Sequence, residues 1–213
     1  MPMKLETATF ASSPRSRTAL VSLAEFLRHP AAVGSAFPAT DKMVSHVLAP
    51  VDWSKVDTFV EYGPGTGEFT RGVLRRLKAD ASLVAIETGE DFVELLRSTI
   101  CDSRLKVVHG SAQDVEGILR RIDAGRSDCI LSGLPISTLE PHDAEDIIGS
   151  SRGVLNPGGL FVAYQMRRVI ESYLHRHFEK VETGFEWWNI PPCHIYWAST
   201  PYGGDVETWQ TEP

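Results

Sequence analysis

From Thr58 onward, apolar runs of five to seven residues alternate with longer stretches of helical periodicity. TFVEY (58–62), SLVAIE (82–87), LKVVH (105–109), DCILSG (128–133) and GLFVAYQ (159–165) read as strands bounded by polar or glycine-rich breaks. EFTRGVLRRLKA (68–79), EDFVELLRSTI (90–100), DAEDIIGSSRGVL (143–155) and RRVIESYLHRHF (167–178) carry the helical patterns. Strand and helix in alternation predict a doubly wound α/β fold, a mostly parallel sheet covered on both faces. NPGG (156–159) marks a turn into the fifth strand. The last apolar runs, EKVETGFEWW (179–188) and HIYWAS (194–199), are joined by NIPP with no helix between them. They predict an antiparallel pair at the sheet's edge and bring the strands to seven.

The first 50 residues follow a different pattern. TALVSLAEFLRH (18–29) sets Leu20, Leu23, Ala24 and Leu27 along one helical face, with Ser22, Glu25 and His29 largely opposite and Pro30 ending the run. DKMVSHVLA (41–49) reads as a second short helix capped by Thr40. The expected organisation is a helical extension over 1–50, one α/β domain over 51–200 and a polar tail over 201–213.

Charge narrows the partners. The net charge is −7, and the acidic excess lies after residue 50, where 16 Lys and Arg face 25 Asp and Glu; residues 1–50 hold five against three. Affinity for phosphate backbones comes largely from basic side chains, so a nucleic-acid partner is not expected. No apolar run approaches the roughly 20 residues of a membrane-spanning helix. MPMKLETATF has charge where a secretory signal would be apolar, so an intracellular chain is expected. Cys101, Cys129 and Cys193 are widely spaced with no CxxC, which fits neither a disulfide framework nor a zinc site. All three are expected to be reduced and buried, and no metal is expected.

The stretch VEYGPGTGEFT (60–70) concentrates the chemistry. A strand ends in Glu61 and Tyr62; Gly63, Gly65, Thr66 and Gly67 make a bare loop; a helix follows. Such a loop brings backbone N–H groups and a helix N-terminus against a ligand. Glu68 stands where the dinucleotide fingerprint needs its third glycine, and Glu61 and Glu68 would repel a pyrophosphate. A cationic nucleoside ligand suits them, and S-adenosylmethionine (SAM) is one. The stretch resembles motif I of the class I methyltransferases, with Glu61, Gly63, Gly65 and Gly67 at the matching positions. Glu87, twenty residues after Gly67, ends the second strand where a carboxylate can accept from both ribose hydroxyls. The third strand is expected to run on through HGSAQDV to Val115. There the resemblance implies an adenine site with Ala112 as the small residue and Ser111 or Asp114 as the polar contact.

Four further stretches, FLRHPAAVGSAFPAT (26–40), SGLP (132–135), GVLNPGG (153–159) and WWNIPPCHIYW (187–197), resemble the bacterial phospholipid N-methyltransferases. That resemblance implies a SAM-dependent enzyme acting on an aminophospholipid such as phosphatidylethanolamine. It also implies that the protein is cytoplasmic and peripherally attached to the inner face of the membrane through its N-terminal amphipathic helix, near Arg15, Arg17 and Arg28. The rRNA adenine dimethyltransferases are the nearest rival, but they follow the fourth strand with Asn-Leu-Pro-Tyr or a close variant, and Ser132-Gly133-Leu134-Pro135-Ile136 has neither the Asn nor the aromatic. A small-amine methyltransferase and a SAM-binding regulator remain as alternatives. Methyl transfer to an amine needs alignment and exclusion of water. Ser132 and the carbonyls of Gly133 and Leu134 are candidates to orient the amine. Tyr164, His142, Asp143 and His194 are candidates to take its proton, and Trp187, Trp188 and Tyr196 are candidate aromatic faces.

Overall fold

The computed structural model describes residues 39–187 and 191–200. The helix expected over 18–29, the polar tail and Trp188 lie outside them. Along the described chain run α1 (Asp41–Val47), β1 (Thr58–Tyr62), α2 (Glu68–Leu74), β2 (Ser82–Glu87), α3 (Glu90–Thr99), β3 (Leu105–His109), α4 (Val115–Arg121), β4 (Ser127–Ser132), α5 (Pro141–Val154), β5 (Leu155–Gln165), α6 (Ile170–His177), β6 (Lys180–Glu186) and β7 (Cys193–Ser199).

The seven strands form one sheet in the order β3-β2-β1-β4-β5-β7-β6. β1 is buried at all five positions, the polar Thr58 and Glu61 included, because helices cover both faces. β1 to β5 are parallel; β7 runs antiparallel between β5 and β6, leaving β6 as the edge. One face packs Val60, Tyr62, Ile86, Ile130 and Phe161 under α4, α5 and α6. The other packs Phe59, Leu83, Leu131, Val162 and Ile195 under α1 and α2. Strand order reverses between β1 and β4, which opens a crevice at their carboxyl ends, and the glycine loop leaves β1 at that point.

The structure corrects several expectations. β3 stops at His109: Gly110 N–H makes the next bond, to Glu87 O at 3.0 Å, and Ser111 then caps a short 3-10 turn. Val115 therefore opens a helix, α4, that the strand reading absorbed; its buried residues Val115, Ile118 and Leu119 follow helical spacing. NPGG lies within β5. Leu155 pairs with Ser127 and Leu160 with Cys129, so Asn156–Gly159 bulge out, and the Asn156 amide donates to Asp128 at 2.7 Å. Met43, Val44, Val47 and Leu48 of α1 are buried against the sheet, and Trp197 Nε1 donates to Val47 O at 2.9 Å. Thr40 caps α1 by accepting from Met43 N–H. Cys129 and Cys193 are buried, but Cys101, just past α3, is exposed.

Candidate active site

Gly63, Gly65 and Gly67 all have positive φ, of 64°, 54° and 88°. At Gly65 a side chain would meet nothing within 4 Å, so the loop curves around open space. Two anchors hold it. Gly65 N–H donates to Glu87 Oε2 at 3.2 Å, and Arg71, one turn into α2, donates through Nη1 to Thr66 O at 2.8 Å. Arg71 was not legible as a site residue, because nothing in its spacing distinguishes it from a solvated helix arginine.

Three carboxylates border that space: Glu61, Glu68 and Glu87. Glu61 is 2 % exposed and accepts from the Thr70 hydroxyl at 2.7 Å; burial first, then Glu68 and Glu87, push its pKa up to about 8, against the pull of Thr70. Glu68 accepts from the Thr66 hydroxyl at 2.6 Å. Glu87 Oε2 accepts from Gly65 N–H, and Oε1 accepts from Gly89 N–H at 2.9 Å and, at 3.5 Å, from the Thr88 hydroxyl, which leaves Oε2 the freer acceptor for a ribose hydroxyl. None of the three is in an ion pair with a described residue. A carboxylate-rich cradle with no counter-cation, bounded by a bare glycine backbone, fits SAM, which brings positive charge and a ribose. Tyr62, by contrast, turns its ring into the opposite core, where its hydroxyl meets Ser151 Oγ at 3.1 Å; only its backbone faces the loop, with Tyr62 O accepting from Gly133 N–H.

At the adenine end, Ala112 is buried and Ser111 Oγ accepts from Gln113 N–H. Asp114 folds back over the first turn of α4, against Gly117 and 4.0 Å from Arg121, away from the loop. Gln113, unremarked in the sequence, ties this turn to α5 by donating to Asp143 at 2.7 Å. That contact occupies Asp143, and His142 sits beside it, exposed, on the first turn of α5.

The catalytic candidates divide between the two faces of the sheet. Ser132 pairs with Tyr62 and Ala163 and shares their face; its hydroxyl is fully buried with no partner among the described residues. Tyr164 lies on the opposite face, stacked on Phe69 of α2 with ring centroids 4.7 Å apart, on the same side as Glu61. Burial first, then the Glu61 charge, hold the Tyr164 phenol far above its ordinary pKa, so it stays protonated and is not a base. A Cβ on Gly133 would collide with Tyr164 Oη, so glycine is what lets the phenol reach the chain leaving β4. The Leu134 carbonyl, expected to orient an amine, already accepts from the Gln165 side chain at 2.6 Å and from Ile136 N–H at 2.9 Å. Both lone pairs are used. His194 and Tyr196 sit one strand away on the Ser132 face, and Trp187 is exposed at the end of β6. Phe69, like Arg71 and Gln113, was not singled out from the sequence; it reads as an ordinary core position of an amphipathic helix.

Among the described residues no group of three or more His, Cys, Asp or Glu could hold a metal, and no helix is long and apolar enough to cross a membrane.

A family model described as a methyltransferase domain matches residues 59–159. The chain is 28 % identical over 178 residues to an ornithine lipid N-methyltransferase of Singulisphaera acidiphila, covering 83 % of this chain and 93 % of that protein. It is 27 % identical over 113 residues to a mitochondrial ribosomal RNA small subunit methyltransferase of Arabidopsis thaliana, covering 52 % of this chain but 27 % of that one. The solved O-methyltransferase from Bacillus cereus in complex with SAH superposes with a TM-score of 0.61 at 15 % identity, over 84 % of this chain and 91 % of its own. Sheet order, glycine loop and domain match together make this chain a SAM-dependent methyltransferase, similar to an ornithine lipid N-methyltransferase.

Proposed function

We propose that this enzyme methylates the amine of an aminolipid, phosphatidylethanolamine or an amino-acid lipid, at the cytoplasmic face of a membrane to which the amphipathic 18–29 segment attaches it. The observation that carries this reading is the lipid N-methyltransferase relative, matched across 83 % of the chain. The sequence after β4 supports it against an RNA substrate, since Ser132-Gly133-Leu134-Pro135-Ile136 offers neither an amide to hold an adenine nor an aromatic to stack on it.

In this reading Glu87 binds the ribose hydroxyls, Glu61 and Glu68 favour the ligand's positive charge, the backbone of Gly63, Gly65 and Thr66 lines its path, and Ser111 and Ala112 meet the base. Bound there, SAM supplies a methyl group already activated on a sulfonium. The protein's work is then to hold the amine lone pair in line and keep water out. Tyr164 does the first by accepting an amine N–H on its hydroxyl oxygen, beside the Gly133 carbonyl. Phe69, stacked under the same ring, does the second. With Tyr164 kept neutral, no ionised phenolate takes the amine proton, so turnover follows the fraction of amine that is already neutral. It rises with pH toward the amine pKa of about 10.

Labelled SAM offered in parallel to aminolipid vesicles, ribosomal RNA and a panel of small amines tests the proposal. Label in the lipid is expected; label in RNA adenines with none in lipid overturns it.

A further inference from the structure

On the face that α6 covers, a cavity of about 320 Å³ opens between the β5–α6 turn and the β6–β7 ladder. It is lined by Arg168, Thr183, Gly184, Phe185, His194 and Tyr196. We infer that this cavity is the acceptor's oxyanion site: it binds the phosphodiester or carboxylate that an aminolipid carries a few bonds from its amine. The inference rests on the aminolipid reading above and specifies how that substrate is recognised.

The lining is the first ground. The Tyr196 hydroxyl is buried, in a residue 1 % exposed, and makes no hydrogen bond to a described residue. Arg168 and Glu171 stand beside it, near enough to bear on its ionisation in opposite directions. A buried hydroxyl left without a partner costs about 1–3 kcal/mol unless something meets it. Arg168 gives Nε and Nη2 to Glu171 at 2.9 and 3.0 Å, which fixes the guanidinium and leaves Nη1 its donors. The Thr183 hydroxyl and the His194 ring add two more donors on the same face, since Thr183 pairs with Tyr196 and Phe185 with His194. Donors of this kind, with a guanidinium among them, are complementary to an oxyanion, and the neighbouring carboxylate, Glu171, is paired with that guanidinium.

Position is the second ground. His194 is the cross-strand partner of Gln165, and the Gln165 amide donates to Leu134 O in the chain leaving β4. The cavity therefore lies beside the carboxyl end of β5 on the face opposite the Tyr164 ring, and the chain leaving β4, which Gln165 holds from one face and Tyr164 reaches from the other, is the crossing point. A headgroup anchored there brings its amine over the end of β5 to that chain.

The rim is the third ground, and it favours a lipid as the source. Met166, Val169 and Trp187 are the exposed large hydrophobic residues among those described, at 36 %, 44 % and 74 %. All three lie on the two segments that flank the cavity, interleaved with exposed Arg167 and Arg168. Apolar side chains and arginines around a polar cavity suit an interface where acyl chains stay in the bilayer and a headgroup enters the protein.

The test is binding read by tryptophan fluorescence, on the full chain with SAH present. The probes are micelles of a short-chain phosphatidylethanolamine, of an N-acylornithine, and of an alkylamine of equal chain length with no oxyanion. The wild-type protein should bind the two oxyanion lipids about tenfold or more tighter than the alkylamine. Tyr196→Phe and Arg168→Gln, one a deletion of a single buried oxygen and the other a surface change, should erase that preference while SAH affinity by calorimetry stays unchanged. A preference for one oxyanion lipid alone assigns the site to phosphate or to carboxylate. Equal binding of all three probes by wild type, or a preference kept in both variants, overturns the inference. Methyl transfer to the same lipids is measured alongside. Binding preference without transfer overturns the proposed reaction and leaves the cavity assignment standing; transfer that both variants leave intact overturns the cavity assignment and leaves the reaction.

Discussion

Thr70 donates its hydroxyl to Glu61 at 2.7 Å, joining the first turn of α2 to the last residues of β1 across the glycine loop. The bond offsets part of the cost of burying Glu61, and desolvation still dominates, so the folded carboxyl has a pKa of about 8 against an ordinary 4.5. A raised carboxyl pKa stabilises the fold fully below about 4.5 and loses that contribution as pH climbs to about 8. The ligand-free enzyme should therefore melt lower as pH rises through this window, and Glu61→Gln should flatten the profile. Binding of cationic SAM favours the ionised form, so affinity should rise over the same range in wild type and lose that slope in Glu61→Gln. Melting curves and calorimetry from pH 5 to 9 check both signs.

Gly65 holds φ at 54° with open space where a side chain would project, so Gly65→Val strains the backbone and fills the ligand's path together. SAH binding should weaken by roughly 100-fold or more. Glu87→Ala removes an anchor of the loop and the acceptor for the ribose, and should cost about 1–3 kcal/mol for SAM and SAH equally. Unchanged affinity in a folded variant, by calorimetry, would move the cofactor elsewhere.

Gly133 and Tyr164 should be energetically coupled. Gly133→Ala drives a methyl group into the phenol oxygen and should destabilise by about 1–3 kcal/mol. Tyr164→Phe breaks no hydrogen bond to a described residue, so its melting temperature should stay within roughly 2 °C. In the double variant the collision with the oxygen is gone, and most of the lost stability should return. Tyr164→Phe alone should lower kcat by about tenfold with little change in SAH affinity.

The Leu134 carbonyl is held by Gln165, so Gln165→Leu should free the chain after β4 without touching the cofactor loop. The expected result is a raised KM for the lipid acceptor with unchanged SAH binding, measured by steady-state transfer and calorimetry. A change in SAH affinity of the same size would mean that the chain after β4 serves the cofactor.

Much of this molecule is determined by local chemistry. Strands such as SLVAIE carry unbroken apolar runs because helices must cover both their faces, so a seven-stranded, mostly parallel sheet could be read from the chain. The glycine loop and Glu87 are spaced by covalent connectivity along one βαβ unit, and they stood out for the same reason. Tertiary structure decided what depends on pairing across distant segments. Whether Val115 ended a strand or opened a helix turned on where the β2 ladder stopped, and NPGG became a bulge through the register of β4 against β5. Ser132 and Tyr164 were both candidates for the amine site, yet they lie on opposite faces because each is fixed by the alternation of its own strand. The α2 ring that stacks on Tyr164, the used-up Leu134 carbonyl and the cavity beneath Arg168 all arise where side chains from separate elements meet, a property that no single stretch of sequence carries.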